Sequence, residues 1–219
     1  MTFLFRPLWL LGHVAVAVVV VVMINLGLWQ LRRLEERRAD NERVIAALGA
    51  PPVTIDAIAG RPLEEIDFRP VRVTGEYDTA DEFLVRYRSL NGLSGHYVVT
   101  PLVLDNDSGV VLVNRGWVPA EYAADWPVDD AAPPAGTVEL LGHVRRPEQG
   151  SAPFWLQLAS PAERDGIPAT VPLPETDEGP HLSYAIQWFI FSLIVGGGWL
   201  ILIRISALSH AAKAPDVTH

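Results

Sequence analysis

The sequence predicts an α+β membrane protein: a two-helix transmembrane hairpin carrying one antiparallel, β-rich, partly open barrel-like domain. Three observations carry this expectation. Leu8–Leu28 is apolar except for His13 and Asn25. Tyr184–Ile203 is apolar except for Gln187 and Ser192. About 20 residues of helix, rising 1.5 Å each, cross a hydrocarbon core of about 30 Å. Between the two runs lie short alternating segments with Gly, Pro, Asn and Asp turns and no βαβ rhythm. The expected divisions are residues 1–44 (first span with a charged helical extension), 45–180 (the β-rich domain) and 181–219 (second span and a short tail).

The first run reads as an uncleaved anchor. Its apolar core exceeds a signal peptide's, and Asn25–Gln30 offers no small-x-small cleavage site. Past the span, Arg32-Arg33-Leu34-Glu35-Glu36-Arg37-Arg38 interleaves charges at i,i+3 and i,i+4, which suits an exposed helical extension ending before Pro51-Pro52. Trp9 and Trp29 stand near the span's two ends, where indoles favour an interface.

Strands are expected at Val71–Gly75, Glu82–Arg88, His96–Leu104, Val110–Val118, Val138–Val144 and Phe154–Leu158. In the second of these, Phe83, Val85 and Tyr87 fall on one face and Arg86 and Arg88 on the other. Asn91-Gly92, Gly95 and Asp105–Gly109 supply turn chemistry. Segments 119–136 and 159–180 read as loops. In the second span, Ser192 and Gly196-Gly197-Gly198 permit close approach of another helix.

Composition narrows function. Residues 45–180 carry 21 acidic and 9 basic side chains, which argues against nucleic acid as a partner. Without cysteine there is no disulfide, thiolate metal site or iron–sulfur cluster. Arginine outnumbers lysine sixteen to one, the codon bias of a GC-rich bacterial genome. The positive-inside rule splits. Arg32, Arg33, Arg37, Arg38 and Arg43 after span one place the domain in the cytoplasm; Arg204 and Lys213 after span two place it outside.

The richest chemistry lies in Pro180-His181-Leu182-Ser183-Tyr184-Ala185-Ile186-Gln187-Trp188-Phe189. His181, Tyr184 and Trp188 at i, i+3 and i+7 share one helical face. In an antiparallel hairpin Trp29 lies near His181. Imidazole ligates haem iron and flat aromatics pack on a porphyrin; an interfacial aromatic belt with a capping His fits the same residues. His13 lies about 25 Å away across the bilayer, too far to share an iron with His181, and reads as a packing residue. Arg115, after apolar Val110–Val113, is expected to pair with a carboxylate of the domain or to reach a partner. His96 and His143 read as core-edge histidines. No phosphate-binding loop, dinucleotide fingerprint, zinc-protease helix or nucleophile elbow occurs, so no catalytic residues are assigned and a non-enzymatic role is expected.

Four blocks resemble the surfeit locus protein 1 family of cytochrome c oxidase assembly factors. They are Leu26-Gly27-Leu28-Trp29-Gln30-Leu31-Arg32-Arg33; Gly75-Glu76-Tyr77-Asp78 leading to Arg88 and Gly92-x-x-Gly95-His96-Tyr97-Val98-Val99-Thr100-Pro101-Leu102; Val113-Asn114-Arg115-Gly116-Trp117-Val118-Pro119; and His181–Phe189. The resemblance implies a bacterial plasma-membrane protein with both termini cytoplasmic and the domain extracytoplasmic. It implies binding or handover of haem a during maturation of the oxidase's catalytic subunit, with His181 as the ligand to haem iron. Trp29, Gln30, Tyr184 and Trp188 match motif positions and complete the expected cofactor-binding set. Oxidase subunits, other respiratory-chain subunits and the lipid membrane are the implied partners. The alternative is a permanent accessory subunit of a respiratory oxidase or supercomplex.

Overall fold

The computed structural model describes residues 6–105, 109–148, 152–161 and 167–212. It forms two compact units: Glu42–Thr176, and the two terminal segments up to Asn41 and from Asp177. Most of the turn expected at Asp105–Gly109, and Lys213, lie outside the described residues.

The first unit is β-rich. Its strands are β1 (Val53–Thr54), β2 (Pro70–Tyr77), β3 (Phe83–Leu90), β4 (Leu93–Leu104), β5 (Val110–Pro119), β6 (Thr137–Arg145) and β7 (Trp155–Ser160). They pair in the order β1-β2-β6-β7-β5-β4-β3, and β2 also pairs with β4. That extra pairing corrects the expectation of a partly open barrel: strands β2, β6, β7, β5 and β4 form a closed ring of five. Closure needs β2 to approach β4 very closely, and Gly75 permits it. A Cβ there would stand 2.2 Å from the Val103 carbonyl oxygen.

The sheet is also not wholly antiparallel. β1 joins β2, and β5 joins β7, by short parallel contacts. The extended chain around Ala169 lies against β5, exchanging two 2.7 Å backbone bonds with Trp117. Gly116 allows this approach, since a Cβ would meet the Ala169 carbonyl at 2.5 Å. The expected loop segment 119–136 contains two short 3₁₀ turns.

Alternation places Val71 and Val73 of β2, Leu102 and Leu104 of β4, and Val111 and Val113 of β5 inside, where they pack on Ile58, Ile66, Leu140 and Leu156. Each fully buried aliphatic contributes about 1.5–3 kcal/mol of transfer free energy. Asn91-Gly92, both at positive φ, close β3 to β4 with the two-residue turn that suits a twisted hairpin. The alternation expected for residues 82–88 fails at Tyr87. A bulge between Val85 and Arg88 shifts the register, so Tyr87 takes φ 61° and is 84% exposed instead of sharing a face with Val85.

A second bulge lies at Arg115. Val98 opposes Gly116 while Val99 opposes Asn114, so Arg115 is the extra residue. Asn114 and Arg115 are both 2% exposed, within a run of β5 buried from Val113 to Val118, so both faces of the strand are covered there. Arg115 donates to Glu82 Oε2 at 2.9 Å and to the Ala131 carbonyl at 2.6 Å. Thr100 Oγ1 donates to the same Glu82 oxygen. The arginine thus ties β5 to the start of β3 and to the 120–136 loop.

The second unit pairs α1 (Pro7–Leu48) with the C-terminal helix (His181–Ala212). A one-turn helix, α2 (Leu63–Ile66), comes between them in sequence, so the C-terminal helix is α3. Both long helices are long and apolar enough to cross a membrane. They do not form a hairpin, which corrects that part of the expectation. They stand at opposite ends of the chain and lie antiparallel: Gly12 meets Trp199, Val20 meets Gly196 and Gly27 meets Phe189. The less exposed positions on α1 include His13, Val16, Val20, Met23, Gly27, Gln30 and Leu34. Spacings of three and four alternate, giving the seven-residue period of a coiled-coil seam.

Two outcomes follow. Arg115→Met leaves a buried Glu82 uncompensated and is expected to cost about 3–5 kcal/mol in denaturant unfolding; Arg115→Met with Glu82→Gln recovers part of that. Burial, helped by Arg145, holds the His143 imidazole below its ordinary range. Its neutral form is favoured on folding, so its contribution is complete above about pH 6.5 and is lost as pH falls toward the lowered folded value. His143→Gln should flatten stability against pH in that interval, and an unchanged slope would contradict this.

Candidate functional site

The helix pair builds the site. Pro180 precedes α3 and cannot extend a helix backwards, and Gly179, at φ 65°, turns the chain into it. His181 is therefore the first helical residue. The Pro180 carbonyl accepts hydrogen bonds from the Ser183 hydroxyl at 2.8 Å and the Tyr184 N–H at 3.1 Å. Across the seam, His181 Nδ1 lies 2.9 Å from Gln30 Oε1. With a carbonyl oxygen as partner, Nδ1 carries the proton and Nε2 holds the lone pair. Nε2 makes no hydrogen bond among the described residues. A Cβ on Gly179 would stand 3.7 Å from Nε2 and 3.6 Å from Cδ2, so the missing side chain keeps that ring edge uncovered.

A polar cavity of about 360 Å³ adjoins the imidazole, lined by Arg33, Glu36, Arg37, Asp40, Asp177, Gly179 and His181. Its charges are largely matched internally. Arg33 pairs with Glu36 at 2.7 Å and Arg37 with Asp177 at 3.5 Å. Arg38 grips Glu178 through two 2.8 Å bonds, and Asn41 donates to the Asp177 carbonyl at 2.8 Å. The Arg38 hydrogen bonds hold the Glu178 carboxyl below its usual range.

The expected site residues divide. His181 and Gln30 are brought into contact. Trp188, seven residues on from His181, packs edge-to-face on Phe191 at 6.2 Å. Trp29 and Tyr184 are 45% and 46% exposed. Tyr184 stands off the stripe of buried Ala185, half-buried Trp188 and buried Ser192, so His181, Tyr184 and Trp188 do not share one environment. Among the described residues, no group of three or more His, Cys, Asp or Glu could hold a metal ion. An imidazole of this unit can offer an iron a single ligand, as a haem axial position requires.

His13 takes a different role. Trp199 Nε1 donates to His13 Nδ1 at 2.8 Å, and Trp9 stacks at 5.7 Å from Trp199. Three residues escaped sequence reasoning: Gly179, which keeps the imidazole edge open, and Asp177 and Glu178, which bind the arginines of α1. Their signal was present as the acidic run before the second span.

The architecture defines a class: a small closed β-barrel flanked in sequence by two apolar helices that pair with each other. Within that class the chain belongs to the SURF1 family, whose family model matches residues 17–193. A SURF1-like protein of Caenorhabditis briggsae is 26% identical over 90% of this chain and 76% of its own length. An uncharacterised SURF1-like protein of Mycobacterium tuberculosis is 27% identical over 94% and 88%. One of Monosiga brevicollis is 29% identical over 89% and 88%.

The seam yields an outcome of its own. A Cβ at Gly27 would lie 2.6 Å from the Phe189 ring. Gly27→Ala should destabilise the helix pair by about 1–3 kcal/mol in thermal unfolding, and Gly27→Ala with Phe189→Leu should recover much of the loss.

Proposed function

We propose that this protein assists assembly of haem–copper cytochrome c oxidase, holding haem a transiently through His181 and passing it to the oxidase's catalytic subunit. The observation that carries this reading is the His181–Gln30 bond. It puts the imidazole proton on Nδ1 and leaves Nε2 with a lone pair beside an open glycine. Metal-ligating histidines characteristically donate their other ring N–H to a fixed acceptor. Haem supplies an iron that accepts this nitrogen. Arg33 and Arg37 offer cationic partners for carboxylate side groups. Membership of the SURF1 family supports the oxidase as the recipient, with other respiratory-chain subunits as further contacts. No turnover is required of any residue.

In this reading α1 and α3 span the bacterial plasma membrane, the β-barrel is extracytoplasmic and both termini are cytoplasmic. Leu8, Leu11, Val14, Leu193, Ile194, Leu200 and Leu208 point outward and are more than half exposed. Apolar surface of that extent is stable in lipid and costly in water.

The test is to purify the full chain from cells supplied with haem a and record its absorption spectrum, then repeat with His181→Ala. A bound-haem spectrum that His181→Ala abolishes supports the reading; an unchanged one defeats the ligand assignment. Pull-down from native membranes tests the recipient. Recovery with immature catalytic subunit supports handover. Stoichiometric recovery with mature oxidase would instead make the protein a lasting accessory subunit.

A further inference from the structure

We propose that Gln30 is a positioning residue whose side-chain carbonyl fixes the tautomer and ring orientation of His181, making Nε2 the coordinating nitrogen. The inference deepens the haem reading above and rests on it, but its primary evidence concerns this chain alone. Gln30 sits on the seam of α1, three residues after buried Gly27 and four before buried Leu34. Its reach toward α3 is therefore set by helix packing and not by a loop. Its amide is neutral, so it can accept from Nδ1–H at 2.9 Å without bringing a second charge to the helix interface. An imidazole with Nδ1 protonated keeps its only lone pair on Nε2. That nitrogen borders Gly179, whose missing side chain leaves the edge accessible.

His13, on the same helix pair, supplies an internal contrast. Indole N–H donates and never accepts. The 2.8 Å bond from Trp199 Nε1 therefore makes His13 Nδ1 an acceptor and places the His13 proton on Nε2. The two imidazoles thus take opposite tautomers, each dictated by a residue of the partner helix. Gln30 prepares one ring for ligation; Trp199 uses the corresponding nitrogen of the other.

The experiment uses the full chain in detergent with ¹⁵N-labelled histidine, without haem. The expected spectrum shows His181 as the Nδ1–H tautomer and His13 as Nε2–H. Gln30→Leu should move His181 toward the other tautomer and leave His13 unchanged. Gln30→Glu, which keeps an acceptor in place, should preserve Nδ1–H. Haem a titration then reads the consequence: Gln30→Leu should bind about 10- to 100-fold more weakly, and Gln30→Glu should retain binding. An Nε2–H His181 in the unaltered protein, or Gln30→Leu leaving tautomer and affinity unchanged, overturns the role of Gln30. The two readings fail separately: undiminished haem binding by His181→Ala overturns the ligand assignment, whatever the tautomers show.

Discussion

Everything at the candidate site depends on the register of two helices separated by residues 49–180. No short turn can impose that register, so the seam must. Inside lipid there is little hydrophobic drive between helices, and association rests on close packing and hydrogen bonds. Both are present and spread along the pair. Glycines at 12 and 27 receive the rings of Trp199 and Phe189. Polar bonds join Trp199 to His13 toward one end and His181 to Gln30 toward the other. A slip of one residue would turn His181 by about 100° around its axis and break every one of these contacts together. The glycines and the two histidines therefore select one alignment among many that uniform apolar helices would tolerate.

How much of this was legible in sequence depends on contrast. The two long apolar helices and most strands were, because apolar runs and period-two alternation need only local residues. The seam was not, because an almost wholly apolar helix has no polar face to mark its buried side. Its seven-residue period emerges only once the partner is known. Tyr87 misled because it sits at a bulge, where an inserted residue reverses the inside–outside assignment without changing composition; Arg115 pairs with a domain carboxylate, as expected. Barrel closure was hidden in Gly75, where absence of a side chain is the message. His181 and Gln30 could be singled out as polar residues at the ends of apolar runs. Their pairing could not, since 151 positions separate them. Trp29 was expected near His181, and Gln30, the next residue along the helix, makes the contact.

The arginines after the first apolar run show what local charge counting leaves out. Counted alone, they argue for a cytoplasmic domain. In the structure Arg37 and Arg38 pair with Asp177 and Glu178, which precede α3. Exposed pairs of this kind add little stability. Their effect here is on net charge: cations and anions from distant parts of the chain gather in one place and largely cancel. An extracytoplasmic barrel, as proposed, then no longer requires moving a strongly positive segment across the membrane. The residual vote comes from the other ends of the helices, where Arg6 and Arg204 lie.

The proposed handover also requires release, which bears on His13. A chain that presented two strong imidazole ligands to one iron would compete with any acceptor for its cargo, since differential affinity decides the direction of transfer. Here the second histidine is withdrawn twice. It lies 17 positions along α1 from Gln30, about 25 Å of helix, and its Nδ1 lone pair is committed to Trp199. His210, near the other end of α3, places Nδ1 2.8 Å from the Ser206 carbonyl oxygen; His181 is held from behind by a neutral amide and not by a carboxylate. A carboxylate in that place would raise the basicity of the ring and tighten its grip on iron. Gln30 orients His181 without that electronic push, the balance that suits the proposed transfer to another protein.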